Sequence, residues 1–183
     1  MNSNWFKLLM RVMKIEYGKS LLLKGVPVIF NKKGATLKIG TNVTIKSSFL
    51  SNLVGLYQRT IIVTRTSDAE IHIGDNVGMS GVTIYARKSI KIGKNTFIGG
   101  NAKILDNDFH PLEVEARNID DKNKIGTRPV VIGESCFIGC NSLILKGTIL
   151  GNGCVVGAGA VVSGTFEDNS VIAGNPARVI KKL

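Results

Sequence analysis

A chain of 183 residues that is 44 % hydrophobic and 20 % charged has the composition of one globular domain with a substantial core, which excludes a disordered chain. No apolar run approaches the roughly 20 residues of a membrane span and no signal-peptide pattern opens the sequence, so a cytoplasmic protein is expected. The net charge of +11 favours phosphate-bearing partners or plain solubility, whereas the scattered lysines and arginines match no nucleic-acid-binding motif.

The first predicted element is an amphipathic helix in residues 4–17, NWFKLLMRVMKIEY, with Ser3 or Asn4 as its N-cap. Its helical repeat separates an apolar face from a largely basic one: Trp5, Leu8, Leu9, Val12 and Met13 against Lys7, Arg11 and Lys14. We expect residues 1–24 to cover an open end of the remaining fold or to pack on a neighbouring subunit. A weaker alternative is that this basic helix lies on an anionic membrane surface.

The most regular pattern in the chain has a period of six residues. An aliphatic residue returns at Ile132, Ile138, Ile144, Leu150, Val156 and Val162. A small or β-branched residue follows four positions later, at Cys136, Ser142, Thr148, Cys154 and Ala160. This period fits neither an α-helix nor a single strand, but three short strands joined by turns would close a triangular coil of about 18 residues. The aliphatic residue then points into a prism of stacked coils, since one hexad cannot bury its apolar side alone.

Similar hexads occur earlier, as IGTNVT (Ile39–Thr44), IGDNVG (Ile73–Gly78), IGKNTF (Ile92–Phe97) and IGGNAK (Ile98–Lys103). We therefore predict an all-β domain of stacked coils over residues 25–172, followed by a tail at 173–183 with a turn at Gly174–Pro176. The hexad is lost over residues 47–69, where irregular or broken coils are expected.

The three cysteines are an odd set without metal-type spacing, which predicts neither a disulfide framework nor a metal site. Cys136 and Cys154 lie one predicted coil apart, and we interpret them as small corner residues.

The register breaks at residues 105–129, in a long insertion without obvious secondary structure, and loops of this kind are often functional. The insertion holds the densest set of ionisable groups and one of the two histidines, His110. The other, His72, alternates with Ile71 and Ile73 and is expected to face out of a coil wall without a role.

The hexads together with the segment FHPLEVEAR (Phe109–Arg117) resemble the hexapeptide-repeat acyltransferases, in particular the galactoside, maltose and polysaccharide sugar O-acetyltransferases. The resemblance covers most of the chain from about residue 37. It implies a left-handed parallel β-helix, acetyl-CoA as co-substrate and His110 as catalytic base. A histidine, with a pKa ordinarily around 6.5, can accept a hydroxyl proton and return it to a thiolate. Asp106, Asp108 or a backbone carbonyl could orient the imidazole.

The resemblance also implies a groove for the cofactor between two β-helices of a homotrimer. The residues matched to it are Phe137, Gly139, Cys140, Gly157, Ala158, Ala160, Asn175, Pro176, Arg178 and Lys181. The backbone N–H of Cys140 is the candidate oxyanion donor. The galactoside enzymes tend to have serine at this position, and we interpret the thiol as a lining group. Arg178 and Lys181 match cations near the CoA phosphates, and a solvated tail is the alternative.

The acceptor is expected to be a sugar or glycan precursor bound by the insertion and nearby residues, with Ser80, Tyr85, Arg87 and Arg117 as candidates. Three alternatives remain on the same fold: N-acetylation of a nucleotide-linked amino sugar, acetylation of a streptogramin-type xenobiotic, and a non-catalytic scaffold. A zinc hydratase would need three histidine ligands per metal, and the chain has two histidines.

Overall fold

The computed structural model describes residues 4–183, in which short parallel strands stack into the three walls of a prism. The first wall consists of β1 (Glu16–Tyr17), β4 (Thr36–Ile39), β7 (Glu70–Ile73), β10 (Ser89–Ile92), β13 (Val130–Ile132), β16 (Ile149–Leu150) and β19 (Thr165–Phe166). The second consists of β2 (Leu22–Lys24), β5 (Thr44–Lys46), β8 (Gly78–Ser80), β11 (Phe97–Ile98), β14 (Phe137–Ile138), β17 (Val155–Val156), β20 (Ser170–Gly174) and β21 (Ala177–Lys182). The third consists of β3 (Val28–Asn31), β6 (Ile61–Thr64), β9 (Thr83–Ala86), β12 (Lys103–Leu105), β15 (Leu143–Ile144) and β18 (Val161–Val162).

The hexad residues lie inside this prism, as the sequence predicts. Ile132 pairs with Ile92 and Leu150, Ile138 with Ile98 and Val156, and Ile144 with Ile104 and Val162. Each of these side chains is at most 3 % exposed. The fold is therefore the expected left-handed parallel β-helix of hexapeptide repeats, with a short N-terminal helix and an extended loop.

The corner between the first and second walls is held by a ladder of asparagines. Asn42, Asn76 and Asn95 adopt left-handed φ angles of 57°, 58° and 59°, a conformation that asparagine tolerates better than most residues. Their side chains link successive coils, since Nδ2 of Asn42 donates to Asn76 and Nδ2 of Asn76 donates to Asn95. The asparagines of the hexads thus serve both the turn and the stacking.

Cys136 and Cys154 are buried corner residues in adjacent coils, and both are free thiols. Phe137 donates its N–H to the carbonyl of Cys154 at 2.9 Å, which fixes the two coils in register. Burial raises the pKa of the Cys136 thiol to about 11, so this group stays protonated at neutral pH. The geometry agrees with packing groups rather than reactive ones.

The N-terminal helix, α1 (Asn4–Val12), ends earlier than the predicted residue 17. Phe6 and Met10 join the hydrophobic core at the first coil, whereas most of the predicted apolar face is exposed, namely Trp5, Leu8, Leu9 and Val12. The proposed caps, Ser3 and the side chain of Asn4, lie outside the described residues. Among residues 4–183, no helix is long and apolar enough to cross a membrane.

The coils begin earlier than the boundary expected at residue 25, because β1, β2 and β3 already form a complete turn of the prism. The irregular segment is also shorter than the predicted 47–69. Ile62 of β6 is fully buried and pairs with Ile29 and Ile84, so the interruption is confined to residues 47–60, with a 3₁₀ turn at Phe49–Ser51. After a turn at Gly174–Pro176, the tail forms β21, which pairs antiparallel with β20.

Candidate active site

The long insertion leaves the prism after β12 and returns at β13, at the corner between the third and first walls. We call this the histidine corner. The insertion contains a helix, α2 (Val114–Asn118), and a 3₁₀ turn at Lys122–Lys124, although the sequence suggested no secondary structure. A bridge between Asn107 and Thr127 closes its base. The loop is therefore ordered and can hold side chains in fixed positions.

Asp106 anchors the loop to the prism. Its carboxylate is fully buried and accepts the backbone N–H groups of Arg87, Lys88 and Ser89 at 2.8, 2.6 and 2.9 Å. Nδ2 of Asn107 donates to the same carboxylate at 3.0 Å. Within residues 4–183 Asp106 makes no hydrogen bond to His110, so its geometry is that of an anchor and not of an orienting group.

Asp108 is held by a partner from the next coil. Its carboxylate forms an ion pair with Lys146, which follows β15, and both side chains are largely buried. Gly126 lies against this pair, where a Cβ would approach Oδ2 of Asp108 to 2.5 Å. The carboxylate of Asp108 is thus engaged away from His110, but its carbonyl accepts the backbone N–H of His110 at 2.7 Å.

His110 projects from this anchored base, with 65 % of its side chain exposed. The preceding Phe109 has a φ of +65° and packs its ring at a tilt against that of Tyr85 in β9, with the ring centroids 4.8 Å apart. The carboxylate beside the imidazole is that of Asp120, with Oδ1 3.9 Å from Nδ1 of His110. A hydrogen bond from Lys122 lowers the pKa of Asp120, which therefore stays negatively charged beside the ring.

Three of the four residues proposed for the acceptor lie at the histidine corner and shape the loop. Tyr85 supports Phe109, and the guanidinium of Arg87 donates to the carbonyl of Lys122 at 3.2 Å. The guanidinium of Arg117 donates to the carbonyls of Pro111 and Leu112 at 3.2 and 2.7 Å. The fourth residue, Ser80, is buried at a different corner, where its Oγ accepts from Asn52.

The corner between the second and third walls carries the residues matched to the cofactor, and we call Gly139–Asn141 and Gly157–Gly159 the amide corner. The carbonyl of Cys140 accepts from Gly159 at 2.9 Å, which ties the two coils together. The N–H groups of Cys140 and Ala158, in contrast, make no hydrogen bond within residues 4–183. Gly139 must be glycine here, since a Cβ would lie 2.5 Å from the nitrogen of Ala158. The corner therefore presents two free donors on a surface of small residues.

Other residues matched to the cofactor differ in their accessibility. Phe137 is half-exposed on the second wall beside this corner, but Ala160 is 1 % exposed and fills the prism. The expectation that the Ala160 side chain lines the groove is therefore not supported by its position. Asn175, Pro176, Arg178 and Lys181 are exposed at or after the final turn, and Arg178 and Lys181 extend along β21.

The irregular segment 47–60 covers the amide corner one coil before Cys140. Asn101 holds it there, because its Nδ2 donates to the carbonyl of Gly55 and its Oδ1 accepts from the N–H of Tyr57. Five large apolar side chains of this segment are exposed, namely Phe49, Leu50, Leu53, Val54 and Tyr57. The segment therefore forms an apolar rim next to the free donors.

Comparison with known proteins finds similarity over the hexads of this prism. The family model for the hexapeptide repeat of succinyl-transferase matches residues 89–104 and 129–163. WbbJ of Escherichia coli, named as a lipopolysaccharide biosynthesis O-acetyl transferase, is 40 % identical over 118 residues, which are 61 % of this chain and 60 % of WbbJ. A galactoside acetyltransferase solved in complex with coenzyme A is 30 % identical, with a TM-score of 0.53 over 63 % of this chain and 56 % of that one. The chain therefore carries the hexapeptide repeat and is similar to the hexapeptide-repeat acyltransferases.

The gap between the two matched segments is the insertion that carries His110. A third structure, a variant of the N-acyltransferase AntD from Bacillus cereus in complex with dTDP and coenzyme A, has a TM-score of 0.73 over 96 % of this chain and 88 % of that one. At 21 % identity this likeness is one of fold. The chain spans 44–60 % of the length of the first four curated relatives that it matches.

Sequence reasoning missed three features of this site. Asp120 lies ten positions after His110, beyond α2, and no spacing rule predicts their approach. Lys146 reaches Asp108 from the following coil. The cover formed by residues 47–60 depends on Asn101, which the hexad pattern identifies as a turn residue and not as a contact for a loop.

Proposed function

We propose that the chain is an acetyl-CoA-dependent O-acetyltransferase that acetylates a hydroxyl of a sugar or glycan precursor. The observation that carries the proposal is His110, an exposed imidazole on an anchored loop, with the charge of Asp120 beside its Nδ1. The names of WbbJ and of the galactoside enzyme support the reaction class.

His110 acts as general base through Nε2, the ring nitrogen that does not face Asp120. It takes the acceptor's proton while the new C–O bond forms and the C–S bond of the thioester breaks, and the proton then passes to the departing thiolate. Base assistance of this kind contributes roughly 10²–10⁴-fold in rate. We attribute to the carboxylate of Asp120, 3.9 Å from Nδ1, the orientation of the imidazole with Nε2 toward the acceptor.

The amide corner fits the co-substrate. Acetyl-CoA supplies the acetyl group as an activated thioester, and its pantetheine arm is narrow and carries amide carbonyls. The free N–H groups of Cys140 and Ala158 can donate to such acceptors, and the space around Gly159 in the same corner is open. The N–H of Cys140 is the proposed donor to the carbonyl oxygen on which negative charge develops, a contribution of about 3–4 kcal/mol.

The two halves of this site lie on different edges of one prism. His110 follows β12 at the histidine corner, whereas Cys140 follows β14 at the amide corner, with the third wall between them. A site that uses both therefore needs the histidine corner of one copy beside the amide corner of another. Head-to-tail contacts of this kind close into a ring, and we propose a homotrimer with three boundary sites.

The basic residues of β21 are proposed to bind the CoA phosphates. Replacing Arg178 and Lys181 by Ala should raise the KM for acetyl-CoA roughly 3- to 10-fold and leave the KM for the acceptor unchanged, because exposed cations contribute modestly to anion binding. Initial-rate kinetics at two salt concentrations measure this, and high salt should reduce the difference. Replacing the equally exposed pair Lys32 and Lys33, in the turn before β4, is the matched control. An altered acceptor KM would assign the tail to the acceptor site.

A second candidate is N-acylation of a nucleotide-linked amino sugar, which the likeness to AntD over nearly the whole chain favours at the level of the fold. A panel of acceptors separates the two. Acetyl-CoA consumption should rise with a free, nucleotide-linked or oligosaccharide sugar that has hydroxyls but no amine, and mild alkali should release the acetyl group as from an ester. If only amino sugars are turned over and the product is stable to alkali, the reaction is N-acylation. Turnover with none of the acceptors would refute both.

A further inference from the structure

Helix α1 has three distinct stripes along its nine residues. Phe6 and Met10 face the first coil and are buried. A second stripe carries Lys7 and Arg11, whose Nε donates to the hydroxyl of Tyr17 at 3.0 Å. The third consists of Trp5, Leu8, Leu9 and Val12, at the i, i+3, i+4, i+7 spacing of one helical face. The inward packing is thus complete without this third stripe.

These four residues form an exposed apolar patch at the end of the prism. Trp5, Leu8, Leu9 and Val12 are 65, 68, 43 and 73 % exposed. Four large apolar side chains on successive turns form a contiguous patch, and a patch of this kind marks a docking surface. Strands β1, β2 and β3 are the terminal strands of the three walls, so α1 covers the end face of the stack.

The charge around this patch is strongly positive. Residues 4–35, which we call the basic end, hold seven lysines and arginines and a single acid, Glu16. Glu16 is paired with Lys38 at 3.2 Å, so it does not neutralise the surface near α1. Lys14, Lys19, Lys24, Lys32 and Lys33 are all exposed. The patch therefore lies within a cationic surface.

We propose that the basic end docks on an anionic phospholipid surface, with Trp5, Leu8, Leu9 and Val12 entering the boundary between headgroups and acyl chains. An apolar stripe flanked by lysine and arginine is the pattern of a helix that lies in a membrane interface, where each cation near the surface adds about 1 kcal/mol. A second copy docked end to end would place one basic end against another, and the like charges oppose it. The binding does not depend on the acetyltransferase proposal. In the proposed trimer, three such ends would lie on one side and their affinities would reinforce one another.

The chain's single tryptophan is Trp5, so its fluorescence reports on this patch alone. The full chain is titrated with vesicles of phosphatidylglycerol and phosphatidylcholine mixed, and with vesicles of phosphatidylcholine alone. The anionic vesicles should shift the emission to shorter wavelength, and brominated acyl chains should quench it. Phosphatidylcholine alone should have little effect, and high salt should weaken binding to the mixed vesicles.

Two double variants test the apolar and the electrostatic parts of the proposed membrane contact. Leu8→Ser combined with Val12→Ser should weaken vesicle partition by about tenfold or more, with Leu50→Ser and Leu53→Ser as the exposed-leucine control that does not change it. Lys19→Glu combined with Lys24→Glu should also weaken partition by about tenfold or more, with Lys88→Glu and Lys91→Glu as the charge control. Circular dichroism verifies that each variant is folded.

Three outcomes would overturn the proposal. One is the absence of partition to anionic vesicles at low salt. Another is unchanged partition of the folded Leu8→Ser, Val12→Ser variant, which would reduce the contact to charge alone. The third is a shielding of Trp5 from acrylamide that grows with protein concentration in the absence of vesicles, because this would show that a second copy covers the patch.

Discussion

Replacing His110 by Ala should lower kcat by about 10² or more and leave the affinity for acetyl-CoA nearly unchanged. The base acts in the transition state, so its loss removes an interaction that the bound substrates do not use. Steady-state kinetics and the Kd for acetyl-CoA, measured on the same preparation, separate these effects. For the native chain, kcat/KM should fall as the pH is lowered, because a protonated imidazole cannot accept the hydroxyl proton.

His72→Ala is the matched control, since His72 lies on the outer face of β7 beside Glu70 and far along the chain from the insertion. It should keep a normal kcat. Cys140→Ser should not abolish turnover, because the proposed contribution of Cys140 is its backbone N–H. A near-normal kcat for His110→Ala would show that another group is the base. An acetylated Cys140, trapped when the acceptor is left out, would replace direct transfer by a two-step route.

Replacing Ile144 by Asp should prevent folding. The side chain of Ile144 is fully buried and stacks between Ile104 and Val162 in the third wall. An unpaired carboxylate at this position would lose hydration without gaining a partner, at a cost comparable with the whole stability of a domain, about 5–15 kcal/mol. Soluble yield and far-UV circular dichroism measure the outcome.

Leu143→Asp is the matched control for Ile144→Asp, because Leu143 precedes it in the same strand and faces outward, where it is partly exposed. It should still fold. A soluble, fully folded Ile144→Asp chain would contradict the inward register of the hexads.

The walls of the prism could be predicted from the sequence because the same buried aliphatic residue recurs in every hexad. Ile132, Ile138 and Ile144 are buried for the same reason, and each additional hexad reduces the number of alternative registers. The first coil was not predicted because its hexad is altered, with Tyr17 in place of the aliphatic residue and Ser20 in place of asparagine, although Leu23 and Ile45 stack in its wall as the others do. The face of α1 that packs on the prism could not be predicted, since Trp5 and Leu8 are as apolar as Phe6 and Met10, and only the position of the first coil decides between them.

The site could be predicted only where its residues are close in the chain or carry a motif. His110 was proposed from its segment, and the small residues of the amide corner were proposed from their hexads. Asp120, the carboxylate beside His110, could not be predicted. The partners of Asp106, Asp108 and Asp120 depend on how the insertion folds back on the prism. Asp106 is satisfied by three backbone N–H groups and Asp108 by Lys146, which leaves Asp120 beside the imidazole. Contacts of this kind have no sequence period.

The proposed acetyl transfer takes place at a site made from the histidine corner of one copy and the amide corner of another. Its direct test is the acetyl-CoA turnover of mixed assemblies. His110→Ala removes the base, and Ala158→Trp fills the amide corner at an exposed position, so each variant alone should be inactive. Coexpressed with different tags and confirmed as trimers by light scattering, they should regain activity in about a quarter of the sites, where an intact loop meets an intact corner. A mixture no more active than its separate components would contradict the shared site.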